Sequence, residues 1–518
     1  MTIAVVSPGA YSRRALALLP LGFLFLLALL PLGRLLLEGW DGVRLELFAD
    51  DYLQGRLLWS LAQAAITCVL TAVIGVPLAW VLARLAFPGR ALLLRLMLLP
   101  FVMPTLVAGL GVLTLFGPRG ISGLNLQDTP WLLLYGNLFY NLPLVVRASV
   151  DGLLALPASR LLAARSLGAS PWRAFWRIEL PALMPWLSSS LCLVFLYCFS
   201  GFGLALLLGG QQWATIEVEI YTLVAYELNL ADAGALALAA MLVSATAALF
   251  YAALEARMAV PAKTEPLALL KVNTLRRRVL LASALLVLLS ITGAPLLALL
   301  ARAATVEAQT WRLLLNEDTA LALFNTLRFS LMALLLASLL GVLHALAARR
   351  STLMRAAAFL PFVVSPVCVA FGLLLLYPGW TASLLLLVSA YALLAYPFIA
   401  KSLAAALDAL PPNLPAAART LGATPWRSFW RVSWPWLRPA FRRGLAFAAA
   451  TTVGEFAVTL FLSRPEWLTL TTLIYQHLGR PGQANLDAAL LLSVLLMLFA
   501  LLAFAAIEWP EKNHAPDR

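Results

Sequence analysis

LAARSLGASPWRAFWRIELP (162–181) and AAARTLGATPWRSFWRVSWP (416–435) are two versions of one passage. They share a glycine, PWR, FWR and a closing proline at identical spacing. A polar loop that only joins two helices drifts in sequence, so a passage kept twice has a job. Ser170 ahead of Pro171, and Thr424 ahead of Pro425, place a capping hydroxyl before a proline at the first helical position. Trp172, Phe175 and Trp176 then fall at i, i+3 and i+4 on one helical face, with Arg173 and Arg177 on another. Trp426, Phe429, Trp430, Arg427 and Arg431 repeat the arrangement. Gly168 and Gly422 stand where a short preceding helix must end, a place suited to a left-handed residue. Each passage reads as a helix–turn–helix elbow with aromatic knobs and basic flanks.

The repetition extends well beyond the elbows. At the same offset Pro143 falls on Pro397, Arg147 on Lys401, Pro157 on Pro411 and Tyr221 on Tyr475. Towards the N-terminus the offset grows, so that LPFVMP (99–104) answers LPFVVSP (360–366) and Gly75 answers Gly341. Repetition on this scale defines architecture. The chain is 62% hydrophobic and 12% charged, with mean hydropathy +0.91, whereas a soluble domain is about half apolar and about a quarter charged. Disorder, a disulfide scaffold and a nucleic-acid binder are excluded. Apolar runs fall at about 15–37, 57–83, 92–116, 131–150, 183–208 and 233–255, then 279–301, 323–347, 356–377, 380–400, 438–462 and 486–508. Lipid admits helices or closed barrels, and these runs are too long for barrel strands. The expectation is an all-α polytopic membrane protein of about twelve transmembrane helices. It divides into a first half 1–256, a linker 257–278 and a second half 279–518, related as parallel repeats. The first run follows Arg13 and Arg14 but is long for a signal segment and lacks a clear cleavage site, so it reads as a retained span.

The net charge of +13 is a matter of sidedness. Most Lys and Arg cluster between alternate spans: Arg84, Arg90 and Arg95; Arg160, Arg165, Arg173 and Arg177; Lys271 and Arg276 to Arg278; Arg349, Arg350 and Arg355. The opposite loops carry acids, among them Asp50, Asp51, Glu217, Glu219, Glu227, Glu317 and Asp318. The positive-inside rule makes the basic side, with both elbows and both termini, cytoplasmic. Cys68, Cys192, Cys198 and Cys368 all fall inside apolar runs and read as small buried hydrophobes.

The elbow pattern resembles the EAA motif of binding-protein-dependent ABC importer permeases: E-A-A, three residues, G, nine residues, I-x-L-P. Ala163, Ala164, Gly168, Ile178, Leu180 and Pro181 match at every spacing; the second copy keeps Ala417, Ala418, Gly422 and Pro435. The glutamate is replaced by Leu162 in one copy and Ala416 in the other. The resemblance covers essentially the whole chain, as two tandem type I (MetI-like) six-helix halves with coupling loops at 157–181 and 411–435. It implies a bacterial inner-membrane transport subunit without catalytic residues or a metal site. Its elbows would dock on two copies of a cytoplasmic ATPase, and its substrate would come from a periplasmic binding protein. No G-x-x-x-x-G-K-[ST] run is present, so ATP and Mg would be held by the separate ATPase.

For the substrate, the fused two-half arrangement resembles ferric iron permeases and, next, thiamine permeases. FSGFGLALLLGGQQWATIEVEIYTLVAYEL (199–228) resembles the ferric type most, although the thiamine type has a similar glycine pair followed by T-I-E-x-x-I-Y. Glu455 is placed inside a span towards its outer end, and an ionisable group there is a candidate for the pathway. Glu217, Glu219 and Tyr221 join it as candidates on the outer side. A carboxylate suits Fe³⁺ and equally the cationic ring of thiamine. Pro143 and Pro397 are expected to kink their spans. A secondary transporter with two six-helix halves accounts for the repeat but not for the duplicated elbows.

Overall fold

A computed structural model describes residues 10–42, 50–97, 99–255, 268–349, 351–358, 360–462 and 464–508. Residues 257–267 of the expected linker, residue 256 before it and both chain ends therefore lie outside the described residues. The described residues are helical almost throughout. Among the described residues, eight helices are long and apolar enough to cross a bilayer, or ten if each of two bent pairs forms one span. Of the twelve expected runs, the third, fourth, ninth and eleventh are not among those eight; the fourth, Pro130–Leu154, is one of the bent pairs, turning by 69° into Ala158–Ser166.

The run expected as one span over 92–116 is broken. Arg90–Val102 and Thr105–Phe116 meet at 100°. Pro104 lacks an N–H and its ring pushes Met103 out of helical geometry. In the second half Ser365 caps a new start at Pro366, accepting from Cys368 N at 3.0 Å, and the helix Pro366–Leu376 is too short to span alone. The fifth and eleventh runs also break, at 200–202 and 454–456. The helix Trp434–Val453 carries Arg438, Arg442 and Arg443 in its first turns, so it is less apolar than its repeat partner. By contrast, Pro143 and Pro397 lie inside helices that continue through them, Pro130–Leu154 and Leu384–Ala409.

Two compact units result, one of residues 1–37 with 308–518, the other of residues 38–307. Each unit contains the helix that opens the other sequence repeat. In the first unit Leu16–Glu38 packs on Glu317–Ala348. A π-helical turn at Phe25–Leu29 frees a carbonyl there, and the Tyr377 hydroxyl donates to Leu26 O at 2.9 Å. Phe23 sits edge-on to buried Tyr396, which also faces the His344 ring. In the second unit the opening helix of the second repeat, Leu275–Ala303, has its own π turn at Leu289–Gly293. There the Tyr135 hydroxyl donates to Ser290 O at 2.5 Å. An extra residue in a turn frees main-chain groups, and each tyrosine satisfies one. The linker's described end pairs as a short parallel strand, Leu270–Lys271 on Leu85–Ala86.

Candidate functional site

The two elbows are built alike, hydrogen bond for hydrogen bond. The helix Ala158–Ser166 ends where Leu167 N donates to Ala163 O (3.1 Å), Gly168 N to Arg165 O (3.0 Å) and Ala169 N to Ala164 O (3.0 Å). The helix Asn413–Thr420 ends with Leu421, Gly422 and Ala423 donating to Ala417, Arg419 and Ala418 at 3.1, 3.0 and 3.0 Å. The last of each set spans five residues, which closes the end only if the residue before it is left-handed. Gly168 has φ +78° and Gly422 φ +85°. The hydroxyls of Ser170 and Thr424 then accept from Arg173 N and Arg427 N, both at 3.3 Å, as the sequence anticipates. Pro171–Ala174 and Pro425–Ser428 open the next helices, and each passes through a π turn, Phe175–Glu179 and Phe429–Ser433, before running on.

These passages are exposed. Trp172 and Trp426 show 71% and 70% of their surface, and Trp176 and Trp430 show 50% and 45%. The indoles pair edge to face at 5.5 and 5.4 Å, as i, i+4 spacing dictates. Ala163, Pro171, Arg173, Arg177 and Pro181, with Ala417, Pro425, Arg427, Arg431 and Pro435, are exposed too. Ala164, Ala418, Phe175 and Phe429 are half-buried and root the elbow. Sequence reasoning missed the outermost residues. Leu167 and Leu421 are each 88% exposed, an apolar side chain at each tip with nothing of its own chain to cover it. The signal was present: both copies keep a leucine directly before the glycine. Paired apolar knobs among basic side chains suit a hydrophobic groove on a partner protein.

The outer candidates take different positions. Glu217, Glu219 and Tyr221 share the short helix Ile216–Ala225 and are all buried, so the acids do not form a solvent-facing loop. The Tyr52 hydroxyl donates to Glu219 Oε2 at 3.0 Å, and Arg56 Nε lies 3.5 Å from the same oxygen. Arg56 also donates to Gln212 O at 2.8 Å and to Gln211 O at 2.6 Å. Trp59 Nε1 donates to Trp213 O at 2.8 Å. Burial pushes the Glu219 carboxyl above its ordinary range, against the opposing pull of Tyr52 and Arg56. Tyr221 packs edge-on against Phe202 and Tyr226. Helix Ile216–Ala225 is anchored by Ile216 N donating to Ser60 Oγ at 2.8 Å. In the other unit Leu470 N donates to Thr326 Oγ1 at 3.0 Å, the same anchor in the second copy. Glu455 is buried at the break after Val453. Its Oε1 accepts from Val458 N at 2.9 Å and so caps the short helix Ala457–Leu462. Its carbonyl accepts from Thr471 Oγ1 at 3.0 Å.

A family model described as the inner membrane component of binding-protein-dependent transport systems matches residues 75–260 and again 351–512. The two matches take in both elbows and most of the chain. The chain belongs to that family. It is a fused, two-domain permease of the inner membrane, a transport subunit of an ABC importer. The permease is 28% identical over 497 residues to the thiamine transport system permease protein of Haemophilus influenzae, covering 89% of both chains. It is 28% identical over 500 residues to the protein of that name in Escherichia coli, covering 90% of this chain and 91% of the other. A shorter similarity, 36% over 159 residues, links it to a probable sulfate transport system permease protein of Nephroselmis olivacea and covers 29% of this chain.

Proposed function

We propose that this permease carries thiamine or a thiamine phosphate inward, delivered by a periplasmic binding protein and driven by ATP. The observation that supports this most is similarity along nearly the whole length to permeases named for thiamine transport. The ferric iron expected from 199–228 gains no support from these relatives. The run TIEVEIY (215–221) has the T-I-E-x-x-I-Y form, which resembles the thiamine type as well as the ferric one.

The elbows 157–181 and 411–435 dock on two cytoplasmic ATPase subunits, which hold ATP and Mg. Closure of the ATPase pair draws the elbows together, and the bundle answers by exchanging inward-open for outward-open states. Energy enters only through contacts that differ between those states. The matched backbone geometry and the apolar tips Leu167 and Leu421 support this reading. Both termini lie on the cytoplasmic side, consistent with the basic loops. Glu455 offers a carboxylate to the cationic ring of the passing substrate. Glu217, Glu219 and Tyr221 brace the outer loop that receives the binding protein, a role that fits their burial better than direct exposure does.

Uptake in a strain lacking the gene separates the solutes. Restored accumulation of labelled thiamine, with no change in labelled ferric iron, is the expected result. Restored iron uptake alone would overturn the substrate assignment.

A further inference from the structure

The two elbows share their backbone but not their attachment. The π turn that follows the first elbow ends on Glu179. One inserted residue turns the register by about 100°, and here it faces Glu179 towards the cytoplasmic end of helix Asp51–Arg84. Arg84 Nη2 lies 2.7 Å from Glu179 Oε1, and Trp80 Nε1 donates to Oε2 at 2.9 Å. Both carboxylate oxygens are engaged. Arg84 and Glu179 show only 4% and 5% of their side-chain surface, so water does not screen the pair. The second π turn ends on Ser433 at the matching place, where no ion pair can form.

We propose that Glu179 and Arg84 are positioning residues that latch the first elbow to helix Asp51–Arg84, so that force applied at this elbow moves two helices as one body. The second elbow, with Ser433 at the matching place, has no such ion pair among the described residues. The two halves therefore respond unequally to a symmetric engine. The inference rests on the elbows being the ATPase-coupling levers.

A buried pair is weak evidence for stability as such. Removing one partner strands a charge, whereas replacing both by apolar residues of similar volume is often neutral. That contrast supplies the test. Glu179→Gln and the double variant Arg84→Met/Glu179→Leu are reconstituted with the ATPase and binding protein in proteoliposomes, beside Ser433→Ala. Three quantities are read: folded yield, ATPase co-purification, and ATP hydrolysed per solute imported. The expected result is that the double variant assembles normally and its ATP-to-solute ratio rises at least about fivefold, the lower end of typical coupling energies. Glu179→Gln shifts the ratio the same way, and Ser433→Ala leaves it unchanged. A double variant with normal yield and a ratio within about twofold of wild type overturns the latch. So does a loss of yield in both pair variants with the ratio of the surviving protein intact, since that is the signature of a structural role alone. Failure of the lever reading itself shows separately, as normal uptake when Gly168 and Gly422 are both disabled.

Discussion

Replacing Gly168 by alanine isolates the backbone of the first elbow. Gly168 has φ +78°, and a Cβ built on it meets nothing within 4 Å. Alanine there clashes with no neighbour; its cost is the left-handed conformation itself, about 1–2 kcal/mol. The same holds at Gly422, with φ +85° and open space around it. Such a penalty is small beside the packing of the bundle, so insertion and folded yield stay unchanged. At the elbow it weights the population away from the docking geometry, by about 5–30-fold. Asparagine visits the left-handed region far more readily, so Gly168→Asn retains most of the activity that Gly168→Ala loses. The assay is initial uptake in proteoliposomes holding equal amounts of assembled complex, with ATPase co-purification measured in parallel. Alanine and asparagine variants of equal activity would refute the reasoning, because conformation would then not be what the glycine supplies. Gly168→Asp adds charge to the same position and is expected to abolish coupled uptake with insertion intact.

Further predictions follow from other parts of the structure. Leu167→Ser and Leu421→Ser leave thermal stability unchanged, since both side chains lie in solvent, but reduce the ATPase recovered in pull-down; unchanged recovery would remove the tips from the docking surface. Arg56→Gln loses hydrogen bonds to the carbonyls of 211 and 212, a cost of about 1.5–3 kcal/mol read from melting of the purified chain. It also removes the cation that holds Glu219 down, so the folded-state pKa of that carboxyl rises further above its unfolded value. Between those two values the folded state binds more protons than the unfolded one, so stability falls as pH rises through the window. The variant shows a steeper fall than wild type, and equal slopes would place the charge compensation elsewhere. Tyr377→Phe deletes the donor to Leu26 O and lowers stability by about 1 kcal/mol, measured by denaturation in detergent. Glu455→Ala reduces uptake while ATPase recovery holds; uptake kinetics equal to wild type would reject a pathway role.

The elbows were readable in the sequence because their chemistry is local. A capping hydroxyl, a proline, a glycine and an i, i+4 pair of indoles each act within a few residues, and the second copy showed which of them matter. The spans were readable because a bilayer needs about 20 apolar residues in a row. What escaped depends on long-range burial. The break in LPFVMP is the exception: its cause, the last proline, is local, but the apolar run hides it and no local pattern gives the 100° turn. Glu217 and Glu219 look like solvent-facing acids, yet both are buried, and Glu219 is engaged by Tyr52 and Arg56 from a distant part of the chain. The placement of each opening helix involves contacts from distant parts of the chain, among them Tyr377 onto Leu26 O and Tyr135 onto Ser290 O. The partner of Glu179 lies 95 residues away, and no local pattern points to Arg84.

Site-directed cross-linking tests the lever mechanism most directly. Leu167→Cys and Leu421→Cys, each in a chain otherwise lacking cysteine, are treated with a short thiol–amine cross-linker in membranes that contain the cognate ATPase. Both positions are predicted to join the ATPase subunit, with yields that change when ATP is added. Cross-links from neither tip, or cross-links indifferent to nucleotide at both, would contradict transmission of force through the elbows.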